Sequence, residues 1–496
     1  MTNISDYLEK HAQDYPKKIF LKTEKDYFSF EEINNKVKKL SSKINQFPNK
    51  SIISIMFDNS VEFVISYLSI LKSGRIVHIM SPSISKSNFL NQIASCSPEI
   101  ILTLNKFKKQ FEDENKSVNL IDFYEFEKET QSSQSYYVSD TASLLYTSGT
   151  TSSPKGVLIK NSNILFTTKN IIDILDYKNS DIDTLPLPLS HSFGLGCLHV
   201  SLYVGSTLIL KKNSMNILNI FDSINENNAT TFAAVPATLT SIVNNFPEEF
   251  SEKCKRLRLI VTNSTKIPKT TTEKILKLLP NVKLSTYYGL TEASRSTFMI
   301  FNENKNKFES VGKVAPNVKI KIVRDNNESK SGEIWIKGKN VITNYWNSKF
   351  SEKFSNDWLK TGDLGFFDLD GFLYLTGRLD DVINIGGEKV NPTEIENLVK
   401  KMEVIEEVVA IGIKHEIFGK VIAVGVDHKL FGQAVKLLVK TSQNQKMQSL
   451  TIINHCKKNL ERYKVPIEVE FVSNFPKNEY GKIIRRLITD NNNGNS

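Results

Sequence analysis

The sequence predicts an α/β protein: a large N-terminal domain of layered, mostly parallel sheets with helices, a small β subdomain, and a small α+β C-terminal domain. Three observations predict it. A strand–helix–strand alternation begins at Ser51 and recurs; the texture changes to short β runs with turn residues between about 303 and 377; and a compact mixed segment follows Arg378. The expected divisions are 1–378 for the first domain and 382–496 for the second domain.

Ser51–Phe57 is rich in β formers, Val61–Leu71 carries apolar residues at helical spacing, Gly74 ends that helix, and Arg75–Met80 resumes a strand. Phe89–Cys96 then reads as helix and Glu99–Leu104 as strand. Ile217–Ile224, Thr230–Val235 and Leu239–Phe246 repeat the alternation. In the β-rich stretch the strands are Val318–Val323, Gly332–Lys337 and Gly371–Thr376. Past Arg378 come a helix at Pro392–Lys401, strands at Glu406–Ile413 and Val421–Val426, a helix at Ile452–Leu460 and a strand at Ile467–Val472, enough for a small domain. Asn491–Ser496 (NNNGNS) reads as a disordered end, and no internal repeat is visible.

Composition narrows the function. With 40% hydrophobic and 24% charged residues over 496 positions, the chain can bury a large core. No apolar run approaches the roughly 18 to 20 residues of a membrane span, and the start lacks a signal-peptide core, so neither integral membrane association nor secretion is expected. The expected location is cytoplasmic. Cys96, Cys197, Cys254 and Cys456 are scattered without metal-ligand spacing, as core thiols would be. The net charge of +10 is dispersed among Asn, Glu and Ser with no basic stripe, which argues against nucleic acid; a polyanionic small molecule would still benefit from the field.

The most informative stretch is Tyr146–Gly156, Y-T-S-G-T-T-S-S-P-K-G. It places five hydroxyl side chains between Thr147 and Ser152. Hydroxyls and the N–H groups of a Gly-containing turn can donate to phosphate oxygens, and Lys155 adds a positive charge. Apolar runs on both sides make it a loop between two strands. It is not a Walker A loop, because Lys155 precedes Gly156 and a strand follows. Composition alone fits an ordinary connection. Quoted whole, the stretch resembles the signature of the adenylate-forming (AMP-binding) superfamily, which includes acyl-CoA synthetases and other AMP-dependent acid ligases.

That resemblance extends in order to Arg486. Thr147, Ser148, Gly149, Thr150, Thr151 and Lys155 become the phosphate-binding loop, with Ser152 where relatives usually have glycine. In L-P-L-P-L-S-H-S-F-G-L, His191 would lie near the reacting carboxylate, with Ser192, Phe193 and Gly194 shaping the acid pocket; Phe193 also suits a plain core position. The family's small-residue turn against adenine appears here with Asn263 and Ser264 at its glycine positions, so adenine contacts fall to Ser264 and Thr265, with Asn263 tolerating an unusual backbone angle. T-Y-Y-G-L-T-E gives Tyr288 for the adenine face, Thr291 for the α-phosphate and Glu292 as the Mg²⁺ ligand. Asp363 of W-L-K-T-G-D would accept the ribose hydroxyls and Arg378 would brace ribose or phosphates. The resemblance also implies a hinged C-terminal domain: Asp380 takes the hinge at 379–381, Gly386 and Gly387 the entry of the thiol arm, and Lys482 of P-K-N-E-Y-G-K-I the role of the lysine that holds the carboxylate and α-phosphate oxygens.

The implied activity is that of an ATP-dependent, AMP-forming ligase. It would use ATP and Mg²⁺ to turn a small-molecule carboxylic acid into an acyl-adenylate, then transfer the acyl group to coenzyme A or a phosphopantetheine thiol. An acyl carrier protein is the alternative acceptor, with an acyl or amino acid as its load. The pocket segment Leu189–Phe193 has no Asp to pair with a substrate ammonium, which favours a non-amino acid. A catalytically silent nucleotide-binding protein would be marked by loss of Glu292 or Lys482, and both are present.

Overall fold

The computed structural model describes residues 2–111, 118–128, 139–147, 155–212, 216–324, 330–348, 351–385, 388–420, 427–442, 447–477 and 483–493. The chain forms two compact units. The first comprises residues 1–320, 336–359 and 371–373, and the second 321–335, 360–370 and 374–496.

The first unit is built on two sheets. One has six strands in the order Asn119–Asp122, Ile100–Thr103, Ile52–Met56, Ile76–Met80, Thr141–Thr147, Lys155–Lys160. Every pairing is parallel except the last, which is antiparallel. The other has nine strands in the order Lys313–Val314, Ala293–Ile300, Lys283–Leu290, Leu259–Thr262, Thr231–Ala233, Ile182–Leu185, Thr207–Leu210, Ile19–Lys22, Tyr27–Ser29. Its centre is parallel and its two edges are antiparallel. Ile52–Met56 and Ile76–Met80 are buried along their whole length, which is why they read as continuous apolar runs rather than alternating ones.

Local chemistry sets the boundaries. Helix Phe30–Ile44 starts at Ser29, whose hydroxyl accepts from the Glu32 amide while the Glu32 carboxylate accepts from the Ser29 amide. Helix Val61–Lys72 is capped by Ser60, and the chain leaves it through Gly74 at φ 72°. The predicted alternation matches within a few residues throughout this unit, including the helices Lys86–Cys96, Ile217–Glu226 and Pro236–Asn245.

A five-stranded sheet occupies the predicted β-rich stretch, in the order Val318–Val323, Gly332–Gly338, Trp358–Phe367, Phe354–Ser355, with Leu373–Arg378 pairing with Trp358–Phe367. In the second unit the three-stranded sheet Ile405–Lys420, Asp427–Thr441, Glu468–Phe471 carries helices Pro392–Val399 and Ser449–Asn459 around a core of Ile395, Val399, Val408, Val435, Leu437 and Ile452. The expected strand Val421–Val426 lies outside the described residues. The polar C-terminal end is not wholly irregular: helix Arg485–Asn493 reaches into it because Ile488 packs on Val409, Ile411 and Leu438, an anchor that composition did not reveal.

Candidate active site

The antiparallel pair Thr141–Thr147 and Lys155–Lys160 sets Tyr146 opposite Gly156 and Thr147 opposite Lys155. Both ends of the predicted phosphate loop are therefore fixed, and Lys155 is buried. Gly156 is required by packing, since a Cβ there would sit 2.8 Å from the Cβ of Trp346. Ser148, Gly149, Thr150 and Thr151 lie outside the described residues, as do Gly386, Gly387 and Lys482.

His191 precedes helix Ser192–Val204, and its carbonyl accepts the amide of Leu195 at 2.8 Å. Burial pushes its imidazole down to about 4, so the ring is neutral near pH 7. Gly194 allows the helix to approach the connecting loop before it: a Cβ would lie 2.3 Å from the Pro188 carbonyl oxygen. Phe193 packs edge-on to Tyr287 with ring centres 5.5 Å apart. Asn59, which sequence reasoning missed, holds this segment in place. Its amide donates to the carbonyls of Leu187 and Lys211 at 2.8 and 2.9 Å and its carbonyl oxygen accepts the Leu189 amide at 2.8 Å.

Tyr288, Thr291 and Glu292 sit on the hairpin of strands Lys283–Leu290 and Ala293–Ile300, where Leu290 pairs with Ala293. Tyr288 is buried, while Thr291 and Glu292 are half-buried at the tip. The Tyr345 hydroxyl donates to Glu292 Oε1 at 3.1 Å, and the Glu292 carbonyl accepts the Ile342 amide at 2.9 Å, so this carboxylate is oriented from outside its own hairpin. Tyr345 is a second residue that the sequence did not single out.

Ser264 and Thr265 are exposed in the turn after strand Leu259–Thr262. The sequence suggested that Asn263 would tolerate the unusual backbone angle. The left-handed position falls instead on Ser264, at φ 90°, where a Cβ-bearing residue is strained.

In the second unit, Asp363 on strand Trp358–Phe367 and Arg378 at the end of strand Leu373–Arg378 meet: Arg378 Nη1 donates to Asp363 Oδ1 at 2.9 Å. Thr361 fixes the approach, accepting the Asp363 amide at 3.0 Å and donating to the Ile334 carbonyl at 2.7 Å. Arg378 also lies 3.6 Å from Asp380, which is exposed in the short turn Leu379–Asp381. The flanks of Lys482 are held as well. Lys477 bridges to Ile483, and Arg485 donates to Glu396 Oε1 at 2.6 Å and lies 3.4 Å from Asp381. Arg485 and Glu396 are further residues that the motif reading passed over.

The AMP-binding enzyme family model matches residues 8–346, and the AMP-binding enzyme C-terminal domain model matches residues 394–482. This chain is an AMP-binding enzyme. It is 27% identical over 500 residues to the 2-succinylbenzoate–CoA ligase of Bacillus subtilis, covering 99% of this chain and 98% of that one. It resembles the solved o-succinylbenzoate CoA synthetase of Bacillus subtilis in complex with an acyl-adenylate intermediate, with a TM-score of 0.84 at 27% identity over 98% of each chain. The complex of that synthetase with ATP and magnesium gives 0.83 at 28% identity, over 97% of this chain and 98% of that one. The expected superfamily, the α/β architecture with mostly parallel sheets and the expectation of an ATP-dependent, AMP-forming ligase are borne out. Among the described residues, no helix is long and apolar enough to cross a membrane.

Proposed function

We propose that this enzyme activates a small, non-amino carboxylic acid as its acyl-adenylate and passes the acyl group to coenzyme A. The observation that carries the reading is the Thr291–Glu292 hairpin tip, with Glu292 oriented by Tyr345, in the same unit as the strand pair that sets Thr147 opposite Lys155. A hydroxyl for a phosphate oxygen, a hard carboxylate and a buried lysine are the groups that a triphosphate needs.

In the adenylation step a carboxylate oxygen attacks the α-phosphorus, the bond to the bridging oxygen breaks, and pyrophosphate leaves. Thr147, Ser148, Gly149, Thr150, Thr151 and Lys155 bind the departing phosphates. Thr291 contacts the α-phosphate, and Lys482 stabilises the charge that moves between carboxylate and phosphate. Glu292 suits Mg²⁺: one carboxylate with phosphate oxygens is a usual arrangement for that ion, and the described residues contain no cluster of three or more His, Cys, Asp or Glu side chains that would form an all-protein cage. When bound, the ion neutralises charge on the phosphates. Tyr288, Ser264 and Thr265 contact adenine, while Asp363 accepts the ribose hydroxyls with Arg378 beside it. His191, as a neutral imidazole, and Ser192, Phe193 and Gly194 line the acid site.

For the second step, residues 379–381 act as the hinge about Asp380, with 1–378 and 382–496 as the domains they join. The turn withdraws Lys482 and brings Gly386 and Gly387 to the thiol arm. The thiol sulfur then attacks the acyl carbon, the anhydride bond breaks, AMP leaves, and the thiol proton passes to solvent. Relatives named as CoA ligases support coenzyme A over an acyl carrier protein. Four buried free thiols suit a reducing compartment, and we place the reaction in the cytoplasm.

The test is acid-dependent ATP–pyrophosphate exchange, followed by thioester detection with coenzyme A and, separately, with a phosphopantetheinylated carrier. Exchange with no acid sinks the reading. Lys482→Ala should lose exchange by on the order of 10²-fold or more yet still form thioester from supplied acyl-AMP. An equal fall in both half-reactions would refute the two-step assignment.

A further inference from the structure

We propose that Arg295 selects the acid, and that the acid it selects is a dicarboxylate whose second carboxylate pairs with the Arg295 guanidinium. The inference rests on the adenylation reading and deepens it.

A cavity in the first unit lies among helices Asn161–Leu175 and Ser192–Val204 and the hairpin that carries Thr291. Its walls are largely apolar, with Ile164, Ile171 and Leu195 among them. Arg295 and Thr291 line the same space. The side expected to face substrate phosphate and a permanent cation thus share one cavity.

Arg295 is only 6% exposed, and no carboxylate among the described residues lies within 4 Å of it. Its guanidinium donates to Ser294 Oγ at 2.7 Å, but its contacts with the carbonyls of Ser192 and Phe193 are long, at 3.3 and 3.4 Å; the remaining support is the face of Tyr287, 4.7 Å away. Dipoles and a ring face do not neutralise a full charge, and a buried cation without a counter-ion is costly. Arg75 provides the contrast. Equally buried and also without a carboxylate, it is closed off by Asn45 and by the carbonyls of Asn45, Phe47 and Ser73, all within 3.0 Å, and it stands apart from the cavity that Arg295 lines. Arg258, Arg378 and Arg485 each have an acidic partner. Arg295 is the buried arginine placed for an anion brought by a ligand.

Packing holds the guanidinium in its place. Gly196 keeps the space in which the guanidinium lies, because a Cβ there would be 2.0 Å from Arg295 Nη2. The backbone of Arg295 is itself left-handed, at φ 52°, a conformation seldom adopted by a bulky residue except where its surroundings impose it.

The test is pyrophosphate exchange with malonate, succinate and glutarate against propanoate, butanoate, pentanoate and the half-amide of succinate. The wild type should favour each diacid over its chain-matched monoacid by on the order of 10²-fold or more in kcat/KM, because a site built for a polar group rejects the analogue that lacks it. In Arg295→Met the ratio should fall to near unity or invert, with the loss seen in the KM for the diacid. Gly196→Ala, which displaces the guanidinium without removing it, should erode the same preference and so provides a second variant. A wild type that prefers monoacids overturns the assignment while leaving adenylation intact. So does an Arg295→Met enzyme that loses both acid classes equally. Exchange with no acid overturns the adenylation reading, and this inference with it.

Discussion

Asp363→Asn tests the nucleotide site directly, because it keeps the side-chain size and removes the charge. Asp363 is 8% exposed and accepts from Arg378 Nη1 at 2.9 Å. Arg378 is 32% exposed at its side chain, so solvent screening limits the ion-pair contribution to folding stability to about 1 kcal/mol. With Asp363 in its proposed place at the ribose, the larger effect falls on ATP. Two ribose hydroxyls donating to one carboxylate contribute about 1.5 kcal/mol each, together about 3 kcal/mol, or roughly 10²-fold in the KM for ATP. The assay is pyrophosphate exchange with ATP and with 2′,3′-dideoxy-ATP. Wild type should lose about 10²-fold on going to the analogue. The variant should lose about 10²-fold on ATP itself and less than about threefold more on the analogue, since the partner of the hydroxyls has already gone. If wild type and variant lose equally on removal of the hydroxyls, Asp363 does not bind ribose and the reasoning fails.

Other expectations rest on different parts of the molecule. Tyr345→Phe removes the donor to Glu292 and should raise the Mg²⁺ concentration for half-maximal exchange about tenfold; an unchanged Mg²⁺ titration would remove Tyr345 from the metal site. Gly312→Ala should cost at least about 3 kcal/mol or prevent folding, because Gly312 has φ 97° and a Cβ there would meet the Phe298 carbonyl oxygen at 1.9 Å. A melting temperature within a degree or two of wild type would contradict this. Asp183 is held up to about 7, chiefly by burial. The folded state therefore binds its proton more tightly than the unfolded state, so wild-type stability falls as pH rises from about 4 through about 7. Asp183→Asn should thus gain about 2 to 3 kcal/mol on wild type between pH 5 and pH 8 in urea unfolding; a pH-independent difference would show that Asp183 titrates normally.

The fold was largely legible because its signals are local. Ile52–Met56 and Ile76–Met80 are apolar throughout, and helices such as Val61–Lys72 have a serine at the start and a glycine just past the end. The motif residues could be proposed for the same reason, each being embedded in a short run of informative chemistry. What escaped joins distant positions. Tyr345 meets Glu292 across 53 residues, Asn59 reaches Leu187 across 128, and Arg485 reaches Glu396 across 89. Nothing in the composition around Asn59 or Glu396 distinguishes it from a surface residue. The left-handed angle at Ser264 was misplaced by one residue because propensity favours asparagine there, and the surrounding turn overrides it. Arg295 was hidden in plain view, one more cation in a chain with 64 lysines and arginines, until burial without a carboxylate set it apart.

The contact between Gly196 and Arg295 also couples the ways in which this pocket can change. While the guanidinium is in place, a Cβ at position 196 would lie 2.0 Å from it, so a side chain there forces the guanidinium to move. The effect of a substitution at either position therefore depends on the residue at the other. Libraries meant to broaden the acid range of this pocket should vary the two positions together.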